Sequence, residues 1–130
     1  MGLDLGEKRI GIALSDPQGI LASPLIIINC HDEKADIEAI LDIVRQNQVG
    51  QIIVGLPRSM DGSIGKQAEK VKAFVQTLRN HTEVPIEFRD ERLSTVSAKR
   101  LMRGVRKIDK TGHDAIAAAL ILQSYLDETI

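Results

Sequence analysis

Hydrophobic and polar positions change their spacing along the chain, and these changes predict the secondary structure. Residues 2–6, 9–16 and 25–29 are short apolar runs bounded by glycine, proline or charged pairs, a pattern typical of β-strands. From Ile37 to Val44 the apolar positions follow i, i+3, i+4, i+7, which predicts an amphipathic helix. The remaining predicted elements are a strand at 51–55, a helix at 68–78, a strand at 86–89, a helix at 94–103 and a helix at 114–127.

The order of the elements predicts how the strands pair. Only Glu7 and Lys8 separate the first two strands, so those strands form an antiparallel hairpin that the third strand extends into a meander. Later strands alternate with helices, which favours parallel pairing through right-handed crossovers. We therefore predict an α/β fold, a mixed five-stranded sheet flanked by helices, with an antiparallel three-strand meander followed by parallel strands. The length of 130 residues suits one domain, residues 1–130.

The composition of the chain excludes several classes of protein. The formal net charge is -1, so any attraction to nucleic acid must come from a local basic patch. The single cysteine, Cys30, excludes a disulfide within the chain and a zinc site built on thiolates, and favours a reducing compartment. We see neither a signal peptide nor an apolar run of membrane-spanning length, so we expect a cytoplasmic protein without a membrane partner.

The first candidate for chemistry is Asp4, which lies between Leu3 and Leu5 in a predicted strand. Successive side chains of a strand point to opposite faces, so the carboxylate points away from the two leucines. A carboxylate in a mostly buried strand needs a partner or a metal ion. Gly2 and Gly6 on either side leave room for a ligand or another backbone. The alternative is an aspartate that bonds to a neighbouring loop.

Asp90 and Glu91 directly follow the predicted strand 86–89, and catalytic groups in such sheets collect beyond the carboxyl ends of parallel strands. The competing interpretation is a solvated charge cluster in which Arg89 and Arg92 pair with the two acids.

Asp114 opens the last predicted helix, where Thr111 and Asp114 match a capping box. Capping alone would explain this acid. However, Ala115 and residues 117–119 make the helix thin, so it can lie close to the sheet and bring Asp114 towards Asp4.

Two segments have features that are typical of phosphate binding. The loop at residues 55–65 joins a strand to a helix start, where backbone amides and hydroxyls can hold a phosphate, although a plain turn is an equally good explanation. A basic run then precedes Asp114. It comprises Lys99, Arg100, Arg103, Arg106, Lys107 and Lys110, with Asp109 as its one acid. Such a surface supplies non-specific phosphate affinity, and a solvated helix face is the alternative.

Together these residues resemble the YqgF family, also called RuvX, of RNase H-like proteins. Members are described as Holliday junction resolvases and as nucleases for the 5' end of precursor 16S rRNA. The resemblance covers essentially the whole chain and rests on four stretches in order, residues 2–16 (GLDLGEKRIGIALSD), 53–62 (IVGLPRSMDG), 90–95 (DERLST) and 114–127 (DAIAAALILQSYLD).

The resemblance implies an RNase H-like nuclease domain with catalytic acids at Asp4, Glu91 and Asp114, and with Asp90 as helper. Hydrolysis of a phosphodiester by two Mg²⁺ or Mn²⁺ ions needs oxygen ligands, so the first three acids are the expected metal ligands, with Asp4 bridging both ions. The expected substrate-binding residues are Arg9, Arg58, Ser59, Gly62, Arg92, Thr95, Lys99 and Arg103.

Several alternatives stay open. The substrate is either an RNA precursor, with the ribosomal subunit as a further partner, or a four-way DNA junction. Symmetric junction cutting favours a homodimer, whereas RNA processing needs only a monomer. Besides a nuclease, a non-catalytic nucleic-acid-binding adaptor is a second hypothesis. A sugar-kinase or actin-like ATPase fragment is a third, because Asp4-Leu5-Gly6 resembles its phosphate loop, but the chain shows no second phosphate loop.

Overall fold

The computed structural model describes residues 1–57, 65–90 and 113–129, and within the last segment it describes the side chains of residues 115–128. The described strands and helices follow in the order β1 (Gly2–Leu5), β2 (Arg9–Ser15), β3 (Ala22–Asn29), α1 (Glu33–Gln46), β4 (Ile52–Leu56), α2 (Lys66–Arg79), β5 (Ile86–Asp90) and α3 (His113–Thr129). The helix predicted at residues 94–103 lies outside the described residues.

The five strands form one mixed sheet in the order β3-β2-β1-β4-β5. β1 pairs antiparallel with β2 and parallel with β4, while β2 pairs antiparallel with β3 and β4 parallel with β5. The predicted meander and the predicted parallel pairing are both confirmed. As a result β1, which carries Asp4, is the central strand of the sheet.

Each face of the sheet has its own apolar core. On one face, Leu3, Leu5, Ile10 and Ile12 pack with Ile37 and Ile40 of α1 and with Val71 and Val75 of α2. On the other face, α3 contributes a second cluster that comprises Ala118, Ala119, Ile121, Leu122 and Leu126, packed with Ala13, Ala22 and Ile53. The sheet is therefore a layer between α1 and α2 on one side and α3 on the other.

Two element starts differ most from the sequence prediction. β3 begins at Ala22, three residues before the predicted start, and includes Pro24. Pro24 lies beside a register shift between Ile12 and Ala13 in an edge strand, where a missing N–H is tolerated. α1 begins at Glu33, because the Asp32 carboxylate accepts a hydrogen bond from the Ala35 N–H at 2.7 Å and caps the helix.

None of the helices in the described part of the chain is long and apolar enough to cross a membrane.

Candidate active site

Asp4 lies on the α3 face of the central strand. Leu3 and Leu5 point into the core that contains α1 and α2, and the alternation of the strand turns Gly2 and Asp4 to the opposite face. Asp4 is half-buried and is paired in register with Gly11 of β2. On its other side the parallel register pairs Leu3 with Val54 of β4. The predicted orientation of Asp4 within the strand is confirmed.

α3 lies unusually close to β1. A Cβ atom added to Gly2 would stand 2.6 Å from the Ala118 carbonyl oxygen and 2.9 Å from Leu122 Cβ. Further along α3, the Tyr125 hydroxyl donates to Gln51 Oε1 at 3.0 Å, just before β4 begins. The carboxyl half of α3 therefore lies over the amino end of β4, and the helix runs back past Gly2.

This direction determines where the first turn of α3 lies. Asp114 precedes Ala118 by one helical turn, on the side of Ala118 away from Tyr125. The backbone of that first turn is consequently directed from Gly2 towards the carboxyl end of β1, where Asp4 lies. Thr111, the predicted cap, lies outside the described residues.

Asp90 is the last residue of β5 and is paired in register with Leu56 of β4. Its position in the strand alternation matches that of Ile86 and Phe88, which pack in the core with α1 and α2. Asp90 and Asp4 therefore arise from opposite faces of the sheet. Glu91, the next residue, lies outside the described residues.

Arg89 points to the α3 face, the same face as Asp4. Its Nε donates to Ser124 Oγ at 2.6 Å, and its two terminal nitrogens donate to Glu128 Oε2 at 2.9 Å and Oε1 at 2.5 Å. The Arg89 side chain is only 12% exposed, whereas that of Glu128 is 63% exposed. The hydrogen bond from Arg89 and then its charge lower the pKa of Glu128 below its ordinary value. The sequence offered the pairing of Arg89 with neighbouring acids as a competing interpretation, and the contact with Glu128 was not predicted.

We call Arg89, Ser124 and Glu128 the Arg89 anchor. A second polar attachment of α3 lies at the other edge of the sheet, where the Gln123 side chain accepts from the Ala22 N–H at 2.8 Å and donates to the Ile20 carbonyl at 2.9 Å. Gln123 and Ser124 are buried polar residues that follow the apolar run 115–122 of α3, and that interruption is the signal that could have identified them.

Hard divalent cations bind carboxylate oxygens, and the predicted donor set of Asp4, Glu91 and Asp114 has this chemistry. Of the three, the structure describes only the side chain of Asp4. Across residues 1–57, 65–90 and 115–128, no group of three His, Cys, Asp or Glu side chains is arranged to hold a metal ion. The half-buried position of Asp4 beside the approaching helix fits a ligand whose partners come from neighbouring elements.

Arg9 is the one predicted substrate-binding residue within the described part of the chain. It is exposed at the start of β2, and its carbonyl accepts a hydrogen bond from the Gly6 N–H at 2.9 Å. This short turn places Arg9 beside the carboxyl end of β1. The other predicted substrate-binding residues lie outside the described residues. They are Arg58, Ser59, Gly62, Arg92, Thr95, Lys99 and Arg103.

The face that carries α1 and α2 contains a cleft of about 500 Å³ beside the β1–β2 turn. Cys30 and the buried Asp36 line this cleft, and Asp36 Oδ1 accepts from the His31 N–H at 3.1 Å. Burial, followed by the charge of Asp36 and a hydrogen bond to it, raises the pKa of the Cys30 thiol. A raised pKa gives an unreactive thiol, as expected for a structural cysteine.

Comparisons with known proteins agree with this architecture. The family model described as "RuvX: Holliday junction resolvase" matches residues 1–128. A protein of Dehalococcoides mccartyi named "Putative pre-16S rRNA nuclease" is 51% identical over 126 residues, covering 96% of this chain and 95% of that protein. A protein of Roseiflexus sp. with the same name is 45% identical over 130 residues, covering 98% of this chain and 92% of its own length.

Solved structures of Thermus thermophilus RuvC share the fold. RuvC in complex with a Holliday junction substrate superimposes with a TM-score of 0.64 at 12% identity, covering 98% of this chain and 92% of that one. A second RuvC structure gives a TM-score of 0.63 at 14% identity, with coverage of 98% and 93%. The predicted RNase H-like fold is confirmed.

Proposed function

This chain belongs to the RuvX family, and we propose that it is a metal-dependent nuclease that trims the 5' end of precursor 16S rRNA. Its relatives at 42–51% identity are named as nucleases of this precursor, and the family and fold support phosphodiester hydrolysis. We take residues 1–130 as one nuclease domain, since the family match spans nearly all of them. Ribosome maturation would place the protein in the cytoplasm, with the ribosomal subunit as a partner.

The observation that carries the proposal is the position of Asp4. It lies on the central strand, half-buried, on the face that α3 approaches so closely that Gly2 has no room for a side chain. A carboxylate there is costly unless it is paired or binds a cation. Asp4, Glu91 and Asp114 would hold Mg²⁺ or Mn²⁺, which prefer oxygen ligands. Asp90, the residue before Glu91, would assist these three ligands.

Bound divalent ions would activate water and offset the negative charge that develops on the phosphoryl group. The chain's own residues have other tasks. Asp4 would hold a metal ion from the central strand, which is paired with a neighbouring strand on each side. Arg9 would contact a flanking phosphate beside the carboxyl end of β1. Arg58, Ser59, Gly62, Arg92, Thr95, Lys99 and Arg103 would bind the rest of the nucleic-acid backbone, which supplies affinity without sequence preference.

A four-way DNA junction is the second candidate substrate, because the family model that matches residues 1–128 is described as a Holliday junction resolvase. Symmetric cutting of a junction requires a homodimer with two sites, whereas trimming of an RNA end requires one site. The two candidates therefore differ in the products they predict and in the oligomeric state that is active.

A cleavage assay tests the proposal. Labelled single-stranded RNA that spans a 16S 5' boundary and a labelled four-way junction are each incubated with Mn²⁺ or Mg²⁺. The variants are Asp4→Asn and, as a matched control, Asp42→Asn, whose carboxylate pairs with Arg45 on the exposed side of α1. We expect metal-dependent RNA cutting that Asp4→Asn abolishes and Asp42→Asn retains. Paired nicks in the junction alone would favour the resolvase. Metal-independent binding without cutting would indicate an adaptor, and equal activity in Asp4→Asn would remove Asp4 from the site.

A further inference from the structure

We propose that Arg89 is a positioning residue that holds α3, and with it the backbone of Asp114, in register with the strand that leads to Glu91. This inference rests on the proposed function. Arg89 directly precedes Asp90 and Glu91 in the sequence, and its side chain reaches across to Ser124 and Glu128 of α3.

The contacts of Arg89 fix the distance between β5 and α3 and the orientation of the guanidinium group between them. A guanidinium group that donates two parallel bonds to one carboxylate is held in a plane, and the third bond to Ser124 prevents rotation within that plane. Ser124 is itself oriented, since its hydroxyl donates to the Ile121 carbonyl at 2.7 Å and accepts from Arg89. The Arg89 anchor is therefore a rigid link between β5 and one side of α3.

Arg89 also shares a row of the sheet with Asp4. It is paired with Gly55 of β4, and the parallel register of β1 and β4 pairs Leu3 with Val54, so Asp4 and Gly55 are the next residues of those strands. Arg89 thus lies two strands from Asp4, or roughly 10 Å at the usual strand spacing, on the same face. A shift of Arg89 relative to α3 is a shift of the row of Asp4 relative to α3.

The anchor engages the carboxyl half of α3, whereas Asp114 lies in the first turn. Gln123 attaches the same half of α3 to β3, and Tyr125 attaches it to Gln51. Loss of one of these attachments allows α3 to tilt, and the tilt displaces the far end most. Metal ligands must be held within about 0.5 Å of their working geometry, so a small tilt should weaken metal binding.

The experiment measures Mn²⁺ binding by titration calorimetry, which does not depend on turnover. The variants are Arg89→Met, Arg89→Lys and Glu128→Gln. The matched control is Arg79→Met, because Arg79 donates to the Ile86 carbonyl at 2.9 Å and stacks on Phe88 of the same strand, but from the opposite face. Hydrogen exchange of the α3 amides in metal-free protein gives a second readout, and urea unfolding gives stability.

We expect Arg89→Met to weaken Mn²⁺ binding about tenfold, the lower range for loss of a group that orients metal ligands. Arg89→Lys and Glu128→Gln should fall between Arg89→Met and the unmodified chain, and amides 116–120 should exchange faster in all three. Arg79→Met should lose stability with the Mn²⁺ dissociation constant unchanged. If Arg89→Met does not fold, Mn²⁺ binding by Glu128→Gln tests the positioning role instead. Glu128 is mostly exposed, so we expect this variant to fold.

Two results would overturn the positioning role alone: Mn²⁺ binding of Arg89→Met and Glu128→Gln equal to that of the unmodified chain, or equal weakening in Arg79→Met in proportion to lost stability. An unmodified chain that neither binds Mn²⁺ nor cuts nucleic acid would overturn the proposed function, and the positioning role with it.

Discussion

Gly2 of β1 and Ala118 of α3 approach so closely that no side chain fits between them. The Ala118 carbonyl oxygen would lie 2.6 Å from a Cβ atom on Gly2, a separation that real Cβ atoms do not show. Gly2 and the alanines of α3 thus have a common explanation, because only small residues fit where the helix crosses the central strand. The contact fixes how far α3 stands from the face that carries Asp4.

Replacing Gly2 with alanine should push α3 away from β1. We expect a loss of about 1–3 kcal/mol in the free energy of unfolding, the usual cost of overpacking, together with reduced cleavage. Urea unfolding and the rate of RNA cutting measure the two effects. Gly50→Ala is the control, because a Cβ atom there meets nothing within 4 Å. Equal stability of Gly2→Ala and Gly50→Ala would contradict the close contact.

Gln123→Leu keeps the size of the side chain but removes its hydrogen bonds. The Ala22 N–H and the Ile20 carbonyl would lose the partners they have in the folded chain. Leaving a buried polar group without a partner costs about 1–3 kcal/mol, so we expect a loss of that size in thermal or urea unfolding. Gln76→Leu on the exposed side of α2 provides the control and should change little. A stable Gln123→Leu variant would show that water replaces the lost bonds.

The pair of Arg89 and Glu128 predicts a pH dependence of stability. The pKa of Glu128 is lower in the folded chain than its ordinary value of 4.5, so the folded state favours the charged carboxylate. The contribution of the pair is therefore complete above the ordinary pKa and is lost as the pH falls through the lowered pKa. The difference in unfolding free energy between the unmodified chain and Glu128→Gln should be largest near neutral pH and vanish in acid.

Urea unfolding at several pH values from neutral to strongly acidic measures that difference. Asp42→Gln, which disrupts the exposed pair with Arg45, serves as the comparison for a solvated ion pair of little energetic weight. A difference for Glu128→Gln that does not change with pH would show that the carboxylate charge has no part in the anchor.

Cys30 should react slowly with thiol reagents. Burial and the neighbouring Asp36 raise the pKa of the thiol, so little of the reactive thiolate is present near neutral pH. Asp36→Asn removes the negative charge and should lower the pKa and speed the reaction. Because Cys30 is the one cysteine of the chain, reaction with a coloured disulfide reagent across a pH series reports it alone. An unchanged pH profile in Asp36→Asn would leave burial as the sole cause.

The sheet could be predicted from the sequence because its signals are local. The two-residue turn after Gly6 determines the hairpin, and the change from period 2 to period 3.6 near Ile37 marks the first helix. Element starts were less predictable where a residue outside the apolar pattern determines the first residue of the element. The Asp32 cap precedes the apolar pattern of α1, and Pro24 reads as a strand end although an edge strand accommodates it.

The attachments of α3 could not be predicted, because each joins residues far apart in the sequence. Arg89 has acids beside it at Asp90 and Glu91, so a local interpretation pairs it with them, whereas the folded chain pairs it with Glu128. Local patterns in the sequence singled out Asp4, Glu91 and Asp114, the family resemblance implied their catalytic role, and that role stays a prediction. Of their side chains the structure describes only that of Asp4.

The contact of β1 with α3 has a consequence for folding. Gln123 closes onto Ala22 across 101 residues, and such distant contacts form slowly. The apolar face of β1 and β2 therefore stays exposed until α3 docks on it. The proposed metal site would be completed only in that late step, so a partly folded chain would have a sheet but no activity.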